Sequence, residues 1–491
     1  MLSLTRRSLL RVGALVLLSG CGSGSAPAAP VARSAPALES SIATPGAADW
    51  PQFGFNAQRS NASPAPTGID ASSVGSLRRL RIAVPGTVDS SPIYLHRVSV
   101  AGGVRDVFVA TSSYGRTFAI DAIDGSVLWQ YVPPKISAWE GSAQITTASP
   151  AADPARAAVY AAAPDGAVRK LALSDGHVIW TAALTREPRH EKLASSLGVS
   201  GGSVLAATGG YFGDAPTYQG HVTAIARSTG RVTSTFNALC DQQVSVVQPS
   251  SCNASGAAIF ARGGAVVEPR SGRLLVATGN GPYDGRRNFG DSVLELSSGK
   301  LRLRQAFTPP EQAKLNAGDT DLGSGGPALL AGGLVASGGK DGLLRVLDLQ
   351  RLDGRNAGAP FRVGGSLQTL PLPGRAPIFS AAAVSGRRMF LASAGGTRAY
   401  EVIGRRLSVA WSAAAHGTSP VLAGGLLYVY DPDGGTLNVY EPASGRRLAA
   451  LPAAPGHWNS PVLGDHRIAL PVGNANDHAR SGALELYYPS G

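Results

Sequence analysis

"VFVATSSYGRTFAIDAIDGSVLWQY" (107–131) reads as three short strands separated by two turns. In its apolar runs, β-branched and aromatic residues alternate with small or polar ones, the period of half-buried strands. The turns carry glycine or aspartate, and Asp-Gly suits a tight hairpin because glycine takes positive φ without steric cost. The pattern returns in "VYAAAPDGAVRKLALSDGHVIWTA" (159–182), across 204–236 and across 274–307. Three more copies follow: "LVASGGKDGLLRVLDLQRLDGR", "MFLASAGGTRAYEVIGRRLSVAW" and "LYVYDPDGGTLNVYEPASGRRLAAL".

The turn glycines Gly125, Gly176, Gly230, Gly299, Gly354, Gly404 and Gly445 fall 41 to 69 residues apart. That is the period of propeller blades with loop insertions. A small residue followed by proline precedes many copies (Ser91-Pro92, Ser149-Pro150, Gly326-Pro327, Ser419-Pro420, Ser460-Pro461), as expected for strands crowded against a central axis. The last strand, "GALELYY" (482–488), lacks a partner turn and is expected to pair with "SLRRLRIAV" (76–84), removing the open sheet edge. Seven modules and one shared between the termini predict an all-β, eight-bladed propeller of four-stranded antiparallel blades over 49–491. Trp129, Trp180 and Trp411 recur at one place in the repeat, where their large apolar area is expected to dock blade on blade.

Lysine and arginine number 44 against 32 acidic residues, a formal charge of +12. Arg6, Arg7 and Arg11 lie in a leader without acidic residues, so the mature chain carries about +9. The remaining arginines scatter over turns with no basic run and no interleaved aromatics, so nucleic acid is not an expected partner. His-Glu-x-x-His, phosphate-loop and dinucleotide motifs are absent.

"TRRSLLRVGALVLLSGC" has a positive n-region, a short apolar run at 12–18 and a small-residue cleavage site before Cys21. It reads as a lipoprotein signal peptide over 1–20, with Cys21 lipidated; Thr5–Arg11 also resembles a twin-arginine export signal. Residues 21–48, rich in Ala, Pro, Ser and Gly, fit a flexible tether. The expected location is therefore extracytoplasmic, on a membrane anchor. Cys240 and Cys252 form an even pair in an exported chain and are expected to be disulfide-bonded.

"AIDAIDGSVLWQY" and the N-terminal "DWPQFGFNAQRSNASP" (49–64) resemble the repeats of the quinoprotein (pyrroloquinoline quinone, PQQ) dehydrogenase propellers. The same fold serves a non-catalytic lipoprotein of the outer-membrane β-barrel assembly machinery, so fold alone leaves function open. In "LNAGDTDLGSGGPALL" (315–330), Asp319-Thr320-Asp321 matches an Asp-x-Asp of the methanol dehydrogenases. The resemblance implies Asp319 as catalytic base, Asp319 and Asp321 as ligands of Ca²⁺ or a lanthanide, and Lys340 of "GGKDGLLRVLDL" as the quinone contact.

Residues i and i+2 of an extended segment face one side, so both carboxylates can meet one cation. The opposing reading is a pair of turn aspartates. Asn280, Asp284 and Asp291 could supply further ligands or only shape a loop. The family's glutamate ligand is missing from 209–220, Ala261 stands near the place of its asparagine, and adjacent cysteines are lacking. A tryptophan floor for the quinone is not recognisable either. Two functions follow as alternatives: a PQQ-dependent alcohol or sugar dehydrogenase passing electrons to an acceptor such as a cytochrome, or a protein-binding envelope scaffold. A monomer is expected. His190-Glu191-Lys192 reads as a solvated charge cluster, and His457, His466 and His478 as structural or surface residues.

Overall fold

The computed structural model describes residues 48–211, 217–240, 243–355 and 358–490. The leader, Cys21 and most of the tether lie outside the described residues. Eight antiparallel sheets follow one another: 93–131, 151–183, 192–237, 266–307, 327–371, 383–413, 421–452, and an eighth joining 462–488 to 78–85. In the third, the innermost place is shared by Lys192–Leu193 and Gly198–Ser200, both paired with Ser203–Gly209. The first strands of neighbouring blades touch around the axis, and the apolar residues between sheets form the core.

The expected closure is present. Arg78–Pro85 runs antiparallel to Ser481–Tyr488, from Arg78 opposite Tyr488 to Pro85 opposite Ser481. All seven turn glycines take positive φ. Trp129 donates its indole N–H to the Leu173 carbonyl (2.8 Å), Trp180 to Arg227 (3.0 Å) and Trp411 to Pro442 (3.0 Å). Each indole thus reaches the following blade, three residues ahead of that blade's turn glycine. Gln305 and Gln368 bridge the seams between the fourth and fifth and the fifth and sixth blades with both amide atoms, binding backbone of Leu349 and Leu352, and of Leu407. Cys240 and Cys252 are disulfide-bonded.

Residues 50–67 form a belt along the inner edges of the first strands. Trp50 exchanges both backbone bonds with Tyr94, and Ala152 donates to the Pro51 carbonyl. Val267, Val384, Leu422 and His466 donate in turn to carbonyls of Ala57, Ser60, Asn61 and Thr67. The belt therefore satisfies backbone groups that would otherwise face the channel. Arg59 is buried in it without a carboxylate and donates to carbonyls of Phe53, Ser196, Leu197 and Ala265. Burial pulls its guanidinium down to about 9, which leaves it charged at neutral pH. The belt lies on the side of the inner hairpins, since Asp49 pairs with Arg156 of the second blade's hairpin. No helix of the described residues is long and apolar enough to cross a membrane.

Candidate functional site

In a four-stranded blade, the hairpins between second and third strands and the connections between blades share one face. The blade 4–5 connection (308–326), the blade 5 hairpin (339–342) and the blade 4 loop (278–292) meet there. A helix, Gln312–Ala317, ends at Gly318, and Asp319 follows at φ +48. That left-handed turn, which aspartate tolerates better than most residues, ends the helix and turns the chain toward blade 5. The extended-segment reading of the pair is thereby corrected: Asp319 is left-handed and 68% exposed, whereas Asp321 is extended and 4% exposed. The two carboxylates converge through a third group.

That group is Lys340. Its ammonium lies 2.7 Å from Asp319 Oδ1 and 2.8 Å from Asp321 Oδ2. The Lys340 N–H also donates to the Asp321 carbonyl (2.9 Å), and a side chain at Gly339 would come 2.1 Å from that oxygen. Only glycine lets the hairpin approach this closely. Burial pulls the Lys340 ammonium down, but the carboxylates of Asp321 and Asp319 outweigh it and hold the group above its usual range.

Asn280 donates to Asp319 Oδ1 (2.7 Å), while its own Oδ1 is buried and has no hydrogen-bond partner among the described residues. Asp291 sits behind Asp321, where burial, reinforced by the Asp321 charge, pushes its carboxyl up to about 7. Leu322 N–H and the Gln312 amide partly offset this. Asp284 is a turn former that accepts the N–H groups of Arg286, Arg287 and Asn288.

Nearer the axis, Asp89 and Arg262 form a buried ion pair. Asp89 also meets His457 Nδ1 (2.8 Å) and the Ala475 N–H (2.9 Å). Burial alone would raise its carboxyl, but Arg262 and these donors bring it down to about 2. The Arg262 guanidinium lies over Trp458, on which His457 and Phe379 both stack, with ring centroids 4.1 and 4.8 Å away.

Beside this stack opens a cavity of about 180 Å³ whose lining includes His416, Thr418 and Asp433. Lys192 lies near the Asp89–Arg262 pair, its ammonium pulled down to about 8 chiefly by burial. The solvated-cluster reading of 190–192 is corrected here. Glu191 is buried and accepts the Thr185 hydroxyl and the Gln219 N–H, because its segment passes through the inner layer of blade 3.

Sequence reasoning therefore names Asp319, Asp321, Lys340, Asn280 and Asp291, and the structure brings them together. It misses Asp89, Arg262, Trp458 and the stacking role of His457. One signal would have found part of that set: Asp89, Thr147 and Trp458 each stand two or three residues before a Ser-Pro lead-in, in a connection crossing this face.

The donors of Asp319, Asp321 and Asn280 are hard oxygens of the kind that suits Ca²⁺ or a lanthanide, but a calcium site takes six to eight. Lys340 also already bridges both carboxylates, and Trp458 already carries two stacked rings and a guanidinium. As arranged, these residues do not fit a dication bound beside a planar quinone.

Residues 78–239, a third of the chain, match the family model described as outer membrane protein assembly factor BamB. No curated protein matches the chain in sequence. Among solved structures, the quinohemoprotein alcohol dehydrogenase of Comamonas testosteroni is similar at TM-score 0.65 and 15% identity, over 90% of this chain and 80% of that one. A europium-containing methanol dehydrogenase gives 0.65 and 14%, over 90% and 98%. BamB from Moraxella catarrhalis gives 0.50 and 12%, over 83% and 97%. At these identities the likeness is one of fold, and the expected PQQ-like propeller architecture is borne out.

Proposed function

We propose that this PQQ-like propeller is a non-catalytic binding protein, exported and lipid-anchored at Cys21. Its mouth would receive protein or cell-envelope partners, as an assembly factor does. The observation that carries this reading is the Lys340 ammonium spanning Asp319 and Asp321. A carboxylate already neutralised by a lysine within the chain is a poor base, and a pair so bridged is a poor metal site. The buried Asp89–Arg262 pair and the stacked Trp458 fill positions near the axis and support the same reading. So does the family matched over 78–239.

A second reading is favoured by convergence. Asp319, Asp321 and Lys340 lie in one cluster, and Asn280 adds a buried oxygen without a hydrogen-bond partner among the described residues. This reading is an alcohol or sugar dehydrogenase with an altered PQQ site, in which Asp319 is the base, Asp321 a metal ligand and Lys340 the quinone contact.

Calorimetric titration of PQQ into the purified protein, with Ca²⁺ or La³⁺ present, separates the two. Absence of heat with either metal is the expected result. Metal-dependent binding lost in Asp321→Ala would overturn the non-catalytic reading and turn attention to alcohol substrates.

A further inference from the structure

The seam between blade 8 and blade 1 carries a second cluster on the hairpin side, away from the mouth. His96 ends the first part of the blade 1 inner strand, Asp106 lies on the strand paired with it, and Asp465 stands in the inner hairpin of blade 8. One donor atom from each lies within 4.8 Å of the others. His96 Nδ1 and Asp106 Oδ1 are 3.1 Å apart. In a tetrahedral site with metal–ligand bonds of about 2.0–2.2 Å, donor atoms sit roughly 3.3 Å apart. That pair is therefore already at ligand spacing. Asp465, 48% exposed at a hairpin tip, brings a carboxylate oxygen within 4.8 Å of both.

The buried carboxylates at 89, 153, 321 and 485 have cationic partners, whereas those of Glu191 and Asp291 are held by neutral donors. Among the described residues, no lysine or arginine is paired with Asp106 or Asp465, and their only ionic neighbours are His96 and His466. His466 Nε2 lies 3.5 Å from Asp465 Oδ1, with its ring held over Gly68, where a side chain would come 2.1 Å from it. The fully buried Tyr94 places its hydroxyl 3.4 Å from His96 Nδ1. Imidazole with carboxylate is a donor set for a borderline divalent transition metal rather than for Ca²⁺.

We propose that His96, Asp106 and Asp465 bind a divalent metal of the zinc class, with His466 the nearest further donor. The ion would clamp blade 8 to blade 1, where the first and last parts of the folded chain meet. The site does not depend on either reading of the mouth.

The test is calorimetric titration of ZnCl₂ into the EDTA-treated full chain, followed by thermal unfolding with and without zinc. The expected result is one saturable site and a higher Tm with zinc. His96→Ala and Asp465→Asn should each weaken binding by at least the roughly tenfold seen when outer-shell partners are lost. His177→Ala, which removes an exposed His–Asp pair elsewhere, should leave binding unchanged. Absence of zinc binding by the unaltered chain, or binding that survives in either cluster variant, overturns the proposal.

Discussion

The indole of Trp129 lies against Gly176 of the next blade so closely that a Cβ there would come 2.6 Å from Cε3. Trp180 on Gly230 and Trp411 on Gly445 repeat the relationship, at 2.7 and 2.5 Å. One glycine thus serves two ends, a left-handed turn within its own blade and a flat seat for its neighbour's tryptophan.

Gly176→Ala should therefore cost about 3 kcal/mol, combining left-handed backbone strain with overpacking. Gly299→Ala has a similar φ of +74 but nothing within 4 Å of the new carbon, so about 1 kcal/mol is expected. Urea denaturation of both variants checks the difference, and equal losses would remove the docking account.

Lys340→Met withdraws the ammonium shared by Asp319 and Asp321. Breaking a fully buried pair costs about 3–5 kcal/mol, but Asp319 faces solvent, so about 2 kcal/mol is expected near pH 8. Urea denaturation of the variant and the unaltered chain at pH 8 measures the loss.

Two buried aspartates should act on stability with opposite signs. Asp89 is held at about 2 against an ordinary 3.8, so its contribution is present above pH 4 and fades as pH falls toward 2. Asp291 is raised from 3.8 to about 7, so the stability it lends is full below pH 4 and disappears as pH rises through 7. Asp291→Asn should accordingly gain on the unaltered chain by a few kcal/mol between pH 4 and pH 8. Parallel curves for the two proteins would refute that assignment.

Reduction of Cys240–Cys252 opens a loop with a sequence separation of 12 and should cost about 3 kcal/mol in the chain-entropy account. Urea unfolding with and without a reductant, with Cys240→Ser/Cys252→Ser as a second route, reads the effect.

Much of the site was legible because it sits in repeat-breaking segments. Asp319, Asp321, Lys340 and Asn280 interrupt the strand pattern with groups that no turn requires in that combination. Asp284, which looks the same in the sequence, became a turn former because three backbone N–H groups converge on it. Glu191 and Lys192 were misread because a charged triplet carries no mark of depth. Blade 3 doubles its inner strand there, and the chain is drawn into the inner layer.

The number of blades, the turn glycines, the tryptophan positions, the strand pair that closes the ring and the disulfide can all be read along the chain. These depend on local chemistry repeated at a fixed period, where each copy restates the same constraint. Other contacts emerge on folding: Lys340 spans both aspartates, Arg262 pairs with Asp89 beside Trp458, and residues 50–67 run along the inner strands. Those contacts join segments tens to hundreds of residues apart. Ring closure brings such segments together around one axis, and no local periodicity encodes that proximity.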